Sequence, residues 1–305
     1  ANGNLVLQGA DEQLTWQGLN VGMLRTYNSQ GQLTGTNGTA TDGFETGFER
    51  RVELTQGTLG QSGSEMTLWT GDGQQVVFSY TGTVSGHPQY QSTAGSGAYD
   101  TLSWDGTNSI WTWVEGSSRQ TQTFADHADL ALQGRLLTIA DGKSGATFTV
   151  NYDANGRVSE VTAGNGDALV YGYDASGRVA ALGTREAGTL KGQVYYDYDA
   201  LGRLSRITTD LSPDAALDTA NIADGNVFWT QYSYVGNTLQ VSKVEQSDGV
   251  VASYTYDTSG RIKTVTTGDT NTNDADGAGQ TLTFNYDGTL TDGGVSYTST
   301  QVVDS

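Results

Sequence analysis

An all-β protein built from antiparallel β-hairpin repeats is what this chain of 305 residues predicts, on three observations. Glycine is abundant (42) and proline nearly absent (2), while Thr, Ser, Tyr and Val fill the stretches between turn signals. Apolar residues recur at period two, which puts them on one face of a strand and not along a helical stripe. A seven-residue motif with turn chemistry at its centre returns through the second half of the chain. Turns this short join neighbouring strands, so antiparallel pairing is expected throughout, with no helix longer than about three turns.

The motif runs Tyr152, Asp153, two variable residues, Gly156, Arg157 and an apolar Val158. It recurs with Tyr173, Asp174, Gly177 and Arg178, with Tyr198, Asp199, Gly202 and Arg203, and with Tyr256, Asp257, Gly260 and Arg261. Degenerate copies open at Tyr234 and Tyr286, and the six tyrosines are spaced by 21, 25, 36, 22 and 30 residues, enough for one hairpin and its connection. Before each turn lies a buried stripe: Phe148, Val150 and Tyr152, then Leu169, Tyr171 and Tyr173, then Val194, Tyr196 and Tyr198. In the turn, Asp caps the first amides through an Asx-type bond, and Gly takes the positive-φ position that closes the hairpin. Arg opens the return strand, where its guanidinium can lie over a Tyr ring or pair with the Asp. Apolar residues on the return strands sit three apart (Val158 and Val161, Val179 and Leu182, Leu204 and Ile207), which fits either a bulge or packing on both faces.

Tyr-x-Tyr-Asp-x-x-Gly-Arg followed by an aliphatic residue, repeated every 20 to 40 residues, resembles the YD repeat of RHS-repeat proteins. That family includes the shell subunits of insecticidal toxin complexes, bacterial polymorphic toxins and teneurins. The resemblance covers about residues 145–290 and implies hairpins lined up into a curved, shell-like or spiral sheet. In the N-terminal half, Tyr27 through Leu33 reads as a worn copy of the motif, Gly134-Arg-Leu136 as the tail of another, and Trp69 through Gly73 and Trp104 through Gly106 as turns of the same kind. A division into an N-terminal β region (1–135) and a YD-repeat region (136–305) is expected, compatible with one continuous structure. Polymorphic-toxin relatives often end in an autoproteolytic Asp-Pro segment, but here neither Pro88 nor Pro213 follows an Asp.

Charge narrows the function classes. Fifteen basic against 34 acidic residues leave a net charge of -19, which disfavours nucleic acid and anionic membranes as partners. Cysteine is absent, so neither a disulfide framework nor a thiolate site is available. No run of 18 apolar residues and no signal-like start is present, and the chain opens at Ala1 without methionine, so it reads as a fragment of a larger polypeptide.

Catalytic candidates are weak. His87 and His127 are the only imidazoles, and neither lies near a nucleophile-elbow sequence. Among 34 acids some carboxylate pair is always available, but no signature accompanies one. Asp269, Asn271, Asn273, Asp274 and Asp276 place oxygens at close spacing and form a candidate calcium site, though Asp274 occupies the place of the EF-hand glycine and no Glu closes the loop; a solvated acidic loop is the plain reading. Trp111 and Trp113 share a strand face and could stack on a glycan, or lie in the core.

A non-enzymatic scaffold is therefore expected: a segment of a secreted or surface-displayed bacterial RHS-repeat protein, toxin-encapsulating or adhesin-like, without a cofactor other than calcium. Its partners are the flanking segments of the same polypeptide and a glycan or cell-surface ligand. The competing expectation is an extracellular carbohydrate-binding or adhesion module.

Overall fold

The computed structural model describes residues 3–29, 44–46, 48, 50–70, 75–92, 99–213, 225–269, 279–292 and 295–304. No helix occurs among them, and the chain is all β. Strands β1 (Val6–Trp16), β2 (Leu19–Asn28) and β3 (Phe44–Thr46) form a small separate sheet in that order. All later strands form one antiparallel meander of twenty.

The meander starts with β4 (Arg51–Gln56), β5 (Glu65–Trp69), β6 (Gln75–Val84), β7 (His87–Gln91), β8 (Thr101–Asp105), β9 (Ile110–Val114) and β10 (Thr121–Ala125). It continues through β11 (Leu136–Ala140), β12 (Thr147–Tyr152), β13 (Val158–Ala163), β14 (Ala168–Tyr173), β15 (Val179–Glu186), β16 (Thr189–Tyr198) and β17 (Leu204–Asp210). It ends with β18 (Val227–Tyr234), β19 (Val241–Gln246), β20 (Val250–Tyr256), β21 (Ile262–Asp269), β22 (Gln280–Asp292) and β23 (Val295–Asp304). Pairing crosses residue 135 without a break, since β10 pairs with β11 and β11 with β12. Among the described residues no ladder joins β23 to β4, so the sheet does not close end to end into a barrel.

The spacing of three on the return strands is the work of a bulge. Val150 faces Val161 and Tyr152 faces Val158, so Ser159 is the extra residue on the return strand. The same one-residue shift falls at Tyr173, Tyr198, Tyr234 and Tyr256. A bulge raises the local twist. Repeating it at the same place in successive hairpins bends the sheet in one sense.

The first turn of that curl is tight enough for β4 to meet β11. Val52 N–H donates to Gly134 O at 2.9 Å and Leu136 N–H to Arg50 O at 3.1 Å, around a bridge between Arg51 and Arg135. Gly134 is required there: its φ is +75°, and a Cβ would stand 2.0 Å from Val52 O. Inside this turn Val52, Met66, Phe78, Trp111, Phe124 and Leu136 are all fully buried.

The β1–β2 hairpin lies crosswise over the inner face of the following repeats, and its contacts follow their order. Trp16 at the tip lies by Gly164, Glu12 meets Thr184 on β15, and Asp11 meets Tyr196 on β16. Arg25 reaches Tyr232 on β18, Tyr27 reaches Val241 on β19, and Gly3 accepts from Ile262 N–H on β21. Between the two layers lie Leu14, Val21 and Met23 from the hairpin and Leu169, Leu182, Val194 and Ile207 from the sheet.

The copy at Tyr286 departs from expectation. β22 runs straight through Tyr286 to Asp292, so no hairpin turns there, although Asp287 has a φ of +62° and the register with β23 shifts between Asn285 and Gly288. Gly288 follows Asp287 directly and no Arg comes after it, so the residues that bracket the other turns are missing.

Candidate functional site

Each complete turn is bracketed by its own aspartate. Asp174 Oδ1 accepts the backbone N–H groups of Ser176 and Arg178, both at 2.9 Å. Its Oδ2 accepts Arg178 Nε–H at 2.7 Å and lies 2.6 Å from Nη2. Gly177, at φ +82°, donates to Asp174 O at 3.0 Å. Asp153 with Arg157, Asp199 with Arg203, and Asp257 with Arg261 repeat this arrangement. Desolvation pushes each of these carboxyls up, but the hydrogen bonds from the arginine backbone and guanidinium outweigh it and hold all four below the usual aspartate value.

With one edge on its own Asp, each guanidinium lies over the tyrosine ring of the next repeat. Arg157 sits 4.2 Å from the Tyr173 ring centroid, Arg178 4.1 Å from Tyr198, Arg203 4.3 Å from Tyr234 and Arg261 4.5 Å from Tyr286. Arg135, in the tail read from Gly134 to Leu136, stands 5.9 Å over Tyr152.

The tyrosine completes the clamp by reaching backwards. Tyr152 O–H donates to Leu136 O, Tyr173 to Val158 O and Tyr234 to Leu204 O, each at 2.6 Å. Tyr198 donates to Val179 O and Tyr256 to Val241 O, both at 2.8 Å, and Tyr286 to Ile262 O at 2.6 Å. The acceptor is always the residue right after the arginine or its substitute, and that carbonyl belongs to the preceding repeat. So Tyr286 keeps its clamp although its turn is gone, and Asp287 answers Arg261 from across the junction at 2.9 Å. Gln240 stands in the arginine position before Tyr256 and donates to Gly260 O at 3.3 Å.

A second polar cluster holds the crossing hairpin and has no motif to announce it. Arg25 donates to both carboxylate oxygens of Asp11 at 2.9 Å and to Tyr232 Oη at 3.0 Å, while Tyr196 O–H donates to Asp11 Oδ2 at 2.8 Å. Burial works against the Arg25 charge, yet the Asp11 contacts more than offset it and keep the guanidinium protonated. Burial pushes the Tyr196 phenol well up. Glu12 accepts from Thr184 O–H at 2.6 Å, and its carboxyl is raised chiefly by desolvation. Of these residues Tyr196 carried a sequence signal, as a member of a buried stripe.

The remaining candidates scatter. Trp111 is 0% and Trp113 9% exposed, so neither indole has a face open to a sugar ring: both point into the curl of the sheet. Trp111 Nε1–H donates to His127 Nδ1 at 3.3 Å, and Trp113 Nε1–H to the buried Asp100 at 3.1 Å. His87 has its Nδ1 3.1 Å from Trp104 O. Of the calcium candidates, Asn271, Asn273, Asp274 and Asp276 lie outside the described residues, and the backbone of Asp269 ends β21.

Residues 152–189 match the family model of the RHS repeat. That stretch of the chain carries the RHS repeat. The matched RHS segment covers the Tyr152 and Tyr173 turns and the clamp between them, and the same clamp geometry continues through Tyr198, Tyr234 and Tyr286. No curated protein sequence matches the chain. Among solved structures, it is similar to a chain of the Photorhabdus luminescens Tc holotoxin pore at 12% identity and TM-score 0.34, over 89% of this chain and 15% of that one. It is also similar to a chain of the TcdB2-TccC3-Cdc42 crystal structure at 12% identity and TM-score 0.31, over 92% of this chain and 18% of that one. A porin-like protein from Bacteroides uniformis shows 10% identity and TM-score 0.26, over 86% and 98% of the two chains. The chain thus spans less than a fifth of the Tc toxin chains it matches.

Proposed function

We propose that this RHS-repeat chain is a structural segment, without catalytic activity, of a larger secreted or surface-exposed bacterial polypeptide, and that it forms part of a curved wall around an enclosed segment. The observation that carries the reading is the head-to-tail clamp. Arginine of one repeat and tyrosine of the next are committed to each other, so the motif chemistry is spent on joining repeats. Repeats clamped to their neighbours in this way behave as an array in which the junctions carry a large share of the stability. The buried indoles lend no support to the glycan-binding alternative.

The test uses the full-length polypeptide. Limited proteolysis should leave an enclosed segment protected, and the double variant Arg178→Ala with Arg203→Ala, checked for native circular dichroism, should expose it. Equal protection in both proteins would count against the wall. Selective retention on a glycan array, or turnover of a polysaccharide or peptide lost on Asp→Asn substitution, would replace the reading with adhesion or hydrolysis.

A further inference from the structure

We propose that the free edge of β1 and the sheet face beside it form a strand-accepting cleft for an extended polypeptide segment with apolar residues at alternate positions and basic residues between them. The cleft has a volume of about 560 Å³. Six consecutive residues, Val6 to Asp11, form one wall, whereas β2 contributes Arg25 alone. A wall made of consecutive residues of one strand is an edge, because a strand seen by its face would contribute every second residue. Among the described residues β1 pairs on one side only, with β2.

The ladder tells which groups face the cleft. Ser29 N–H donates to Leu5 O at 2.9 Å, and the register continues with Leu7 opposite Tyr27 and Gly9 opposite Arg25. Hydrogen-bonded pairs alternate along an antiparallel ladder, so Leu5, Leu7 and Gly9 bond to β2. The amide and carbonyl groups of Val6, Gln8 and Ala10 therefore point to the open side.

The floor is the inner face of β17 to β20, on the side of the crossing hairpin away from the repeat turns. Ile207, Thr209, Phe228, Val244, Val250 and Tyr254 line it. Val250 on the floor and Val6 on the wall are 48% and 50% exposed, so the apolar shelf is left uncovered where the hairpin stops. One added strand would satisfy the outward groups of β1 and lay alternate side chains on this shelf, which continues the hairpin-on-sheet packing already present. The charge of -19 selects the partner's polar face, disfavouring an acidic segment and favouring a basic one.

The probe is a fluorescein-labelled peptide of alternating valine and lysine, titrated with the full chain and followed by anisotropy. Saturable binding is expected, with about tenfold weaker affinity in Gln8→Pro, which removes one outward N–H and the side-chain bond to Thr26 but no backbone bond of the β2 ladder. The same peptide N-methylated at alternate residues should bind native protein about tenfold more weakly, because its ladder donors are gone while its charge is unchanged. Equal binding of the N-methylated peptide would mean plain charge attraction and overturn the proposal, as would unsaturable binding. The melting temperature of Gln8→Pro shows whether it folds; if it does not, the N-methylated peptide decides alone.

Discussion

The junction between the Tyr173 and Tyr198 repeats offers the sharpest test of the clamp. Arg178 makes two contacts there, a charge-assisted pair with Asp174 and a cation–π contact with the Tyr198 ring. Both side chains of the ion pair are 24% exposed, so screening by water leaves it about 0.5–1 kcal/mol. A guanidinium over a half-buried ring adds about 0.5–2 kcal/mol. Arg178→Ala should therefore lower stability by about 1–3 kcal/mol in urea denaturation, with the slope unchanged. Tyr198→Leu removes the same cation–π contact together with the bond to Val179 O, itself worth about 1 kcal/mol. Combined in a double-mutant cycle, the two substitutions should show a coupling of about 0.5–1.5 kcal/mol. Arg157 lies over Tyr173 and not over Tyr198, so a cycle of Arg157→Ala with Tyr198→Leu should be additive within about 0.3 kcal/mol. If the Arg178 cycle is additive too, or if both cycles couple equally, the repeats are not joined arginine to tyrosine.

Three further outcomes follow from the same geometry. Gly177→Val should destabilise by more than the about 1–2 kcal/mol expected for Ala, because an added Cβ has room (its nearest neighbour, Arg157 Nη1, is 3.4 Å away) but the backbone sits at φ +82°; Ser176→Ala, in the same exposed turn, should change stability by less than about 0.5 kcal/mol. The four turn aspartates are lower in the folded chain than in the unfolded one, so their contribution is present above about pH 4 and is lost as pH falls through the folded values; melts from pH 6 down to pH 2 should show it, and replacing Asp174 by Asn should flatten part of that slope. Glu12 has the opposite sign: its folded value is raised, so stability falls as pH rises from about 4.5 through that value, and Glu12→Gln, which keeps an acceptor for Thr184, should melt higher than the native chain at pH 7, whereas a lower melt would mean the charge itself is used.

Most of each repeat could be read before the structure, since its bonds are local. Asp174 and Arg178 are four residues apart, and a turn that fixes one fixes the other. The bulge was half visible: the spacing from Val158 to Val161 demanded an irregularity, and only pairing with Val150 and Tyr152 showed that it was an inserted residue. Trp111 and Trp113 were correctly placed on one face, but alternation cannot say which face is inside. The turn expected near Tyr286 did not form, for without an Arg the Asp there pairs with Arg261 of the preceding repeat.

By itself the sequence determined the class, the hairpin unit and its turn residues, because these depend on interactions within about five residues of one another. What only the tertiary structure decided is how units meet: Tyr198 on the Val179 carbonyl, Arg178 over that ring, β4 returning to β11, and Asp11 and Arg25 seated against Tyr196 and Tyr232. Tyr196 and Asp11 are 185 residues apart in sequence, and their bond exists only because the bulged, twisted sheet brings its inner face under the crossing hairpin.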